Sequence, residues 1–191
     1  AACLAMQWTQ TEAIQQSTFK VVVDGVNSSG GIAIPNLLHA LGIEVVKIHC
    51  IPNGEFPHNP EPLKEHLTDL CEAVLKHQAD FGIAVDPDVD RLVFVDEKGN
   101  LFGEEYTLVA CADYILGKTP GATVSNLSST RALADLTKSY GQRYTASAVG
   151  EVNVVTEMKT SQAVIGGEGN GGVIYPELHY GRDALVGVVL F

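Results

Sequence analysis

The chain has 191 residues, of which 46% are hydrophobic and 18% charged. The usual charged share is roughly 25%, so there is ample material for a packed core and an intrinsically disordered chain is excluded. Twenty-three acids oppose twelve Lys and Arg, a formal charge of −11. A field of that sign repels phosphate backbones and anionic lipid, so neither nucleic acid nor a membrane is expected as a partner. No apolar stretch approaches the ~20 residues of a bilayer span. The first basic residue is Lys20, which excludes a secretory signal in the opening segment and makes the cytoplasm the expected location. Cys3, Cys50, Cys71 and Cys111 stand far apart without a CxxC pair and are expected as free, mostly buried thiols.

Residues 1–18 read as an N-terminal extension or helix. Phe19 to Val23 is a β-branched apolar run ending in Asp24-Gly25, the pattern of a buried strand. Asn27 to Gly31 follows as a loop. Ile34, Leu37, Leu38 and Leu41 then mark an amphipathic helix stopped by Gly42, and Ile43 to Ile48 is a second strand. This order is a βαβ unit with a parallel sheet. A Pro-rich loop, 52–62, leads to a helix over 63–77 and a strand, Phe81 to Val85, that runs into Asp86. Leu92 to Val95 and Leu101-Phe102 flank a hairpin turn, and Glu104 to Leu116 is helical with acids in its first turn.

Gly117 to Gly121, short and rich in Pro and Gly, is the expected boundary, giving domains at 19–117 and 118–191. The pattern restarts beyond it. A strand over 122–127 precedes a helix capped by Ser128 or Ser129 and ending at Gly141. A strand over 143–146, a helix over 152–159 and a strand over 162–165 complete the set. The fold class is α/β, two similar three-layer domains with mixed, mostly parallel sheets. The chain starts at Ala1 without an initiator Met and stops at Phe191 inside an apolar run, so it reads as a piece of a larger protein with the second domain truncated.

Three loops carry candidate chemistry. Asp86-Pro87-Asp88-Val89-Asp90-Arg91 follows a strand directly. Two unit charges at ~4 Å repel by about 4 kcal/mol at an effective dielectric of ~20, so three converging carboxylates call for a hard divalent cation, and oxygen ligands favour Mg²⁺ over zinc. An EF-hand is excluded because Arg91 stands where its sharp turn needs Gly and the flanks read as strands. A Mg²⁺-dependent phosphatase of haloacid-dehalogenase type also opens on Asp-x-Asp. That motif wants Thr or Val where Asp90 stands, and belongs to the first strand rather than the third or later. Gly166 to Gly172 contains GxGxxG, yet Pro176 follows instead of a long helix and Glu168 would face a pyrophosphate. A glycine-lined loop with one carboxylate and one amide suits sugar hydroxyls better. Asn126 to Arg131 offers hydroxyls and a cation at a strand-to-helix turn, either as a helix cap or as an anion site.

In order, these segments resemble the α-D-phosphohexomutases, the phosphoglucomutase/phosphomannomutase family. Val23 to Gly31 is similar to the opening of the family's second domain. Gly54 to Pro62 resembles its Phe-Pro-x-x-x-Pro loop, and Asp86 to Arg91 its Asp-x-Asp-x-Asp-Arg metal loop with Pro87 in place of Gly. Gly167 to Gly172 falls at its sugar loop, usually Gly-Glu-x-Ser-Gly-His. The resemblance implies the second domain and part of the third of a four-domain enzyme that moves a phosphoryl group between the 1- and 6-positions of a hexose. Asp86, Asp88 and Asp90 would bind Mg²⁺, and Arg91 would be catalytic, steadying the phosphoserine side. Glu168, Asn170, Glu151 and Arg131 would meet the phosphorylated hexose. A hexose 1,6-bisphosphate would activate the full-length enzyme. The family's first domain carries the phosphoserine in a Thr-Ala-Ser-His-Asn-Pro loop, which does not occur in this sequence, so the chain is expected to be inactive without domains one and four. Asn170 stands for Ser, Gly172 for His, and Glu151 where other members often have His. A non-catalytic sugar-phosphate-binding module is the remaining alternative.

Overall fold

The computed structural model describes residues 11–191, which divide into two units at Gly103/Glu104. Cys3 and residues 1–10 of the expected extension lie outside the described residues. The remainder of that extension contains a short helix, α1 (Thr11–Gln15).

In the first unit β1 (Lys20–Asp24) is flanked by β2 (Glu44–Ile48) and β3 (Phe81–Val85), both parallel to it. β4 (Leu92–Val95) closes the sheet antiparallel to β3, giving the order β2-β1-β3-β4. From its second residue on, β1 is buried throughout, as is β3, and all of β4 is buried. That is why these segments read as unbroken apolar runs rather than alternating ones: both faces of the sheet are covered. The helix α2 (Gly30–Ala40) packs on β1 and β2 through Ile34, Leu37 and Leu38, and Gly42, at φ +78°, ends it in the left-handed region that an L side chain resists. A 3₁₀ turn (Lys64–His66) breaks the expected single helix over 63–77, so that α3 starts at Thr68 and ends at His77. It sets Leu70, Ala73 and Val74 against Val22, Ala84, Val93 and Val95. The expected hairpin forms: Val95 bridges Leu101, and Asp96 accepts from the amides of Lys98 and Asn100.

The second unit repeats this plan. Its sheet order is β6 (Tyr144–Ser147), β5 (Thr123–Asn126), β7 (Ile165–Glu168), β8 (Gly172–Ile174), with only β8 antiparallel. One core joins α4 (Glu104–Lys118), α5 (Ala132–Ser139) and α7 (Ala184–Leu190) to the sheet through Leu108, Cys111, Ile115, Leu133, Ile165 and Val186. The other packs α6 (Glu151–Ser161) on Val124 and Ile174 through Val154 and Met158.

Three expectations are corrected. The boundary at Gly117–Gly121 gives way to Gly103/Glu104, because α4 buries its apolar face in the second unit's core. The loop over 166–172 is a β-hairpin. Gly166 and Gly167 lie in β7 and pass so close to their neighbours that a Cβ on Gly167 would stand 2.0 Å from the Gly172 carbonyl oxygen. The serine cap of α5 is absent: the helix begins at Ala132, and Ser128 and Ser129 both donate to the Asn126 side-chain carbonyl instead. No helix among the described residues is long and apolar enough to cross a membrane.

Candidate functional site

In a doubly wound sheet, ligands collect at the carboxyl ends of the strands where the strand order reverses. In the first unit that point lies between β1 and β3, where β1 ends in Asp24 and β3 runs directly into Asp86. Asp86 is 6% exposed. Its Oδ1 accepts from the backbone N–H of Asp90 and of Arg91, each at 3.0 Å. Those two bonds curl the loop back on itself. Val89, at φ +62°, takes up the turn, an unfavourable conformation for a β-branched residue. From outside, the Ser28 and Ser29 hydroxyls both donate to the Pro87 carbonyl, at 2.7 and 2.9 Å.

The curl brings one carboxylate oxygen from each of Asp86, Asp88 and Asp90 within 4.8 Å of the others, with Asp86 buried, Asp90 half-buried and Asp88 exposed. Arg91 stands at the rim. Its Nε is 3.6 Å from Asp86 and 4.0 Å from Asp90, while its Nη1 donates to Glu61 at 3.0 Å. Partial burial pulls against the charge on Arg91, but the hydrogen bond to Glu61 and the neighbouring carboxylates outweigh it and hold the guanidinium more firmly protonated than usual. Three hard oxygens converging with one open to solvent fit a Mg²⁺ ion that keeps part of its water shell.

In the second unit the equivalent strand ends are Asn126 on β5 and Glu168 on β7. Glu168, 5% exposed, accepts at Oε1 from Asn126 (2.7 Å) and the Gly150 amide (3.2 Å), and at Oε2 from Arg182 (2.9 Å). Glu151 accepts from the Arg182 amide at 3.0 Å and faces its Nε at 3.6 Å. Two of the four expected substrate-binding residues, Glu168 and Glu151, thus share Arg182. Asn170 sits in the hairpin turn, where its side chain accepts from the Gly172 amide at 3.2 Å. Arg131 stands apart: its side chain is 87% exposed and pairs with Asp135 one turn along the chain.

Sequence reasoning missed Arg182, whose position beside Asp183, the N-cap of α7, was its only signal. It also missed Glu61 as the partner of Arg91.

The chain matches two family descriptions in succession: "Phosphoglucomutase/phosphomannomutase, alpha/beta/alpha domain II" over residues 3–99 and "domain III" over residues 103–191. The break between them agrees with the structural boundary. A phosphoglucomutase/phosphomannomutase of Thermococcus kodakarensis is 39% identical over 174 residues, 90% of this chain and 38% of that protein. A phosphoglucosamine mutase of Albidiferax ferrireducens is 35% identical over 170 residues, 87% of this chain and 38% of that protein. The crystal structure of a family protein from Burkholderia thailandensis superposes with a TM-score of 0.84 at 28% identity, covering 97% of this chain and 42% of that one. The chain therefore spans under half the length of these relatives.

Proposed function

Because the chain belongs to the phosphoglucomutase/phosphomannomutase family, we propose that it supplies the metal-binding and sugar-reading parts of an enzyme that moves a phosphoryl group between the 1- and 6-positions of a hexose through a bisphosphorylated intermediate. The observation that carries this reading is the curled loop after β3, where three carboxylates converge beside one arginine.

Asp86, Asp88 and Asp90 would hold Mg²⁺, which when bound offsets the negative charge of a transferring phosphoryl group. Asp86 is positioned for this by its two backbone donors, with one of its oxygens within 4.8 Å of an oxygen from each of Asp88 and Asp90. Arg91, steadied by Glu61, places a fixed positive charge at the rim, where it would meet the phosphoserine. In the second unit Glu168, held by Asn126 and Arg182, would offer its carboxylate to a sugar. A sugar hydroxyl donating there would be read against Glu151 and the Asn170 turn. The nucleophile would come from the phosphoserine domain and the grip on the substrate phosphate from the fourth. A hexose 1,6-bisphosphate would prime the complete enzyme.

The test is calorimetry. Mg²⁺ should bind the chain weakly, and Asp88→Asn should weaken binding at least tenfold. Equal heats for the two proteins would remove the basis of the proposal. Hydrolysis of a simple phosphate ester by the chain would instead favour a phosphatase.

A further inference from the structure

A second cluster lies at the same end of the first unit's sheet, built from Asp24 at the end of β1, His49 just after β2 and His58 in the loop before α3. The Asp24 side chain is 1% exposed. Its Oδ2 faces both imidazoles, 3.1 Å from His49 Nδ1 and 3.0 Å from His58 Nε2. Each ring meets a second acceptor on its other side: His58 Nδ1 is 2.8 Å from the Asn59 carbonyl oxygen and His49 Nε2 is 3.4 Å from Asp69 Oδ2. A backbone carbonyl only accepts, so His58 Nδ1 carries its hydrogen, and the Asp69 carboxylate asks the same of His49 Nε2.

One oxygen of Asp24 and one nitrogen of each ring thus converge on a common space, with the ring centroids 5.4 Å apart and the side chains only 21% and 16% exposed. One divalent cation satisfies all three atoms at once.

We propose that Asp24, His49 and His58 form a site for an imidazole-preferring divalent cation of the zinc type, distinct from the all-oxygen loop at Asp86, Asp88 and Asp90. Two imidazoles and a carboxylate are a recurring zinc set with a fourth position left for water. The outer partners match as well, since a metal-bound histidine donates its other N–H to a carbonyl or carboxylate. The O···N separations of 3.0 and 3.1 Å approach the roughly 3.3 Å between neighbouring ligands of a tetrahedral ion with bonds of ~2.05 Å. His49 is held in position at φ +48°, a strained backbone that aims its ring at Asp24. Cys50 is not a ligand: its thiol points to the Ile48 carbonyl at 3.1 Å, and burial pushes its pKa up. The site would fasten the 52–62 loop, which carries Glu61, to two strand ends. It rests on the first unit's geometry and not on the mutase reading.

The test is a Co²⁺ titration of the chelator-treated 191-residue chain with millimolar Mg²⁺ present, followed by visible absorption, then displacement by Zn²⁺. One equivalent should bind with ligand-field bands of an N/O site. His49→Gln and His58→Gln should each weaken it at least tenfold, Asp69→Asn by about tenfold through the outer partner, and Asp88→Asn not at all. A titration that Asp88→Asn abolishes, or that the double histidine variant leaves unchanged, overturns the site. Ring ¹⁵N spectra of the unmutated chain guard against misfolded variants. Zn²⁺ should move the Nδ1 signal of one histidine and the Nε2 signal of another, and no movement on saturation refutes the proposal.

Discussion

Substituting Asp88 separates a metal site from an acidic turn by the sign of its effect. Its carboxylate lies within 4.8 Å of those of Asp86 and Asp90, so each pair repels by about 3.5 kcal/mol at an effective dielectric of ~20. Asp88 is exposed, and water and salt reduce that repulsion to about 1 kcal/mol in total, as for surface ion pairs. With EDTA, Asp88→Asn should therefore stabilise the chain by about 1 kcal/mol. Mg²⁺ at twenty times its dissociation constant should stabilise the unsubstituted chain by about 1.8 kcal/mol, from RT ln(1 + [L]/Kd), and the variant by much less. The two stability curves then cross as Mg²⁺ rises. The assay is urea unfolding at low ionic strength, from zero Mg²⁺ to saturation. If Asp88→Asn destabilises the metal-free chain, or if Mg²⁺ stabilises both proteins equally, the three carboxylates are not a cation site.

Arg182→Met removes the cation shared by Glu168 and Glu151 and leaves a buried carboxylate facing an apolar chain; it should cost about 3 kcal/mol, and a loss under 1 kcal/mol in chemical denaturation would show that the pair does not hold the second unit together. Asp96 sits below the usual carboxylate range, chiefly because the Asn100 amide donates to it. A depressed folded pKa gives stability that is present above the unfolded value of roughly 3.9 and lost as pH falls through the folded value. Asp96→Asn should therefore flatten the acid limb of the stability curve, and an unaltered acid limb contradicts the assignment. Burial pushes the Cys111 thiol up to about 12, so alkylation of the native chain at pH 8 should spare it; mass-spectrometric detection of adduct at Cys111 before unfolding would refute that burial.

What could be read from residues alone was whatever a local pattern encodes. The β1–α2–β2 succession followed from apolar runs and Gly42, and the Asp86 loop from alternate carboxylates after a buried strand. The two similar units emerged as mixed, mostly parallel sheets. The failures share a cause: the deciding partner lies outside the local apolar pattern. The sequence of α4 does not say which unit it joins, because its apolar stripe would suit either sheet; Leu133, Ile165 and Val186 decide. Ser128 and Ser129 are good helix caps, yet Asn126 competes for their hydroxyls. Gly166 and Gly167 look like loop residues, but the close approach of β8 and of Met158 makes glycine necessary within the strand. His58 and Asp24 are 34 residues apart and meet only after the sheet has formed.

The repeated sheet order gives the two candidate loops equivalent positions in their units. Asp86 to Arg91 joins the third strand of its sheet to the reversed fourth, and Gly169 to Gly171 does the same in the other. The same corner of one sheet plan is filled twice, once with an acidic bend and once with a tight hairpin. Because the strand pairing around this corner is the same in both units, grafting the acidic bend onto the second unit should leave that unit's sheet intact.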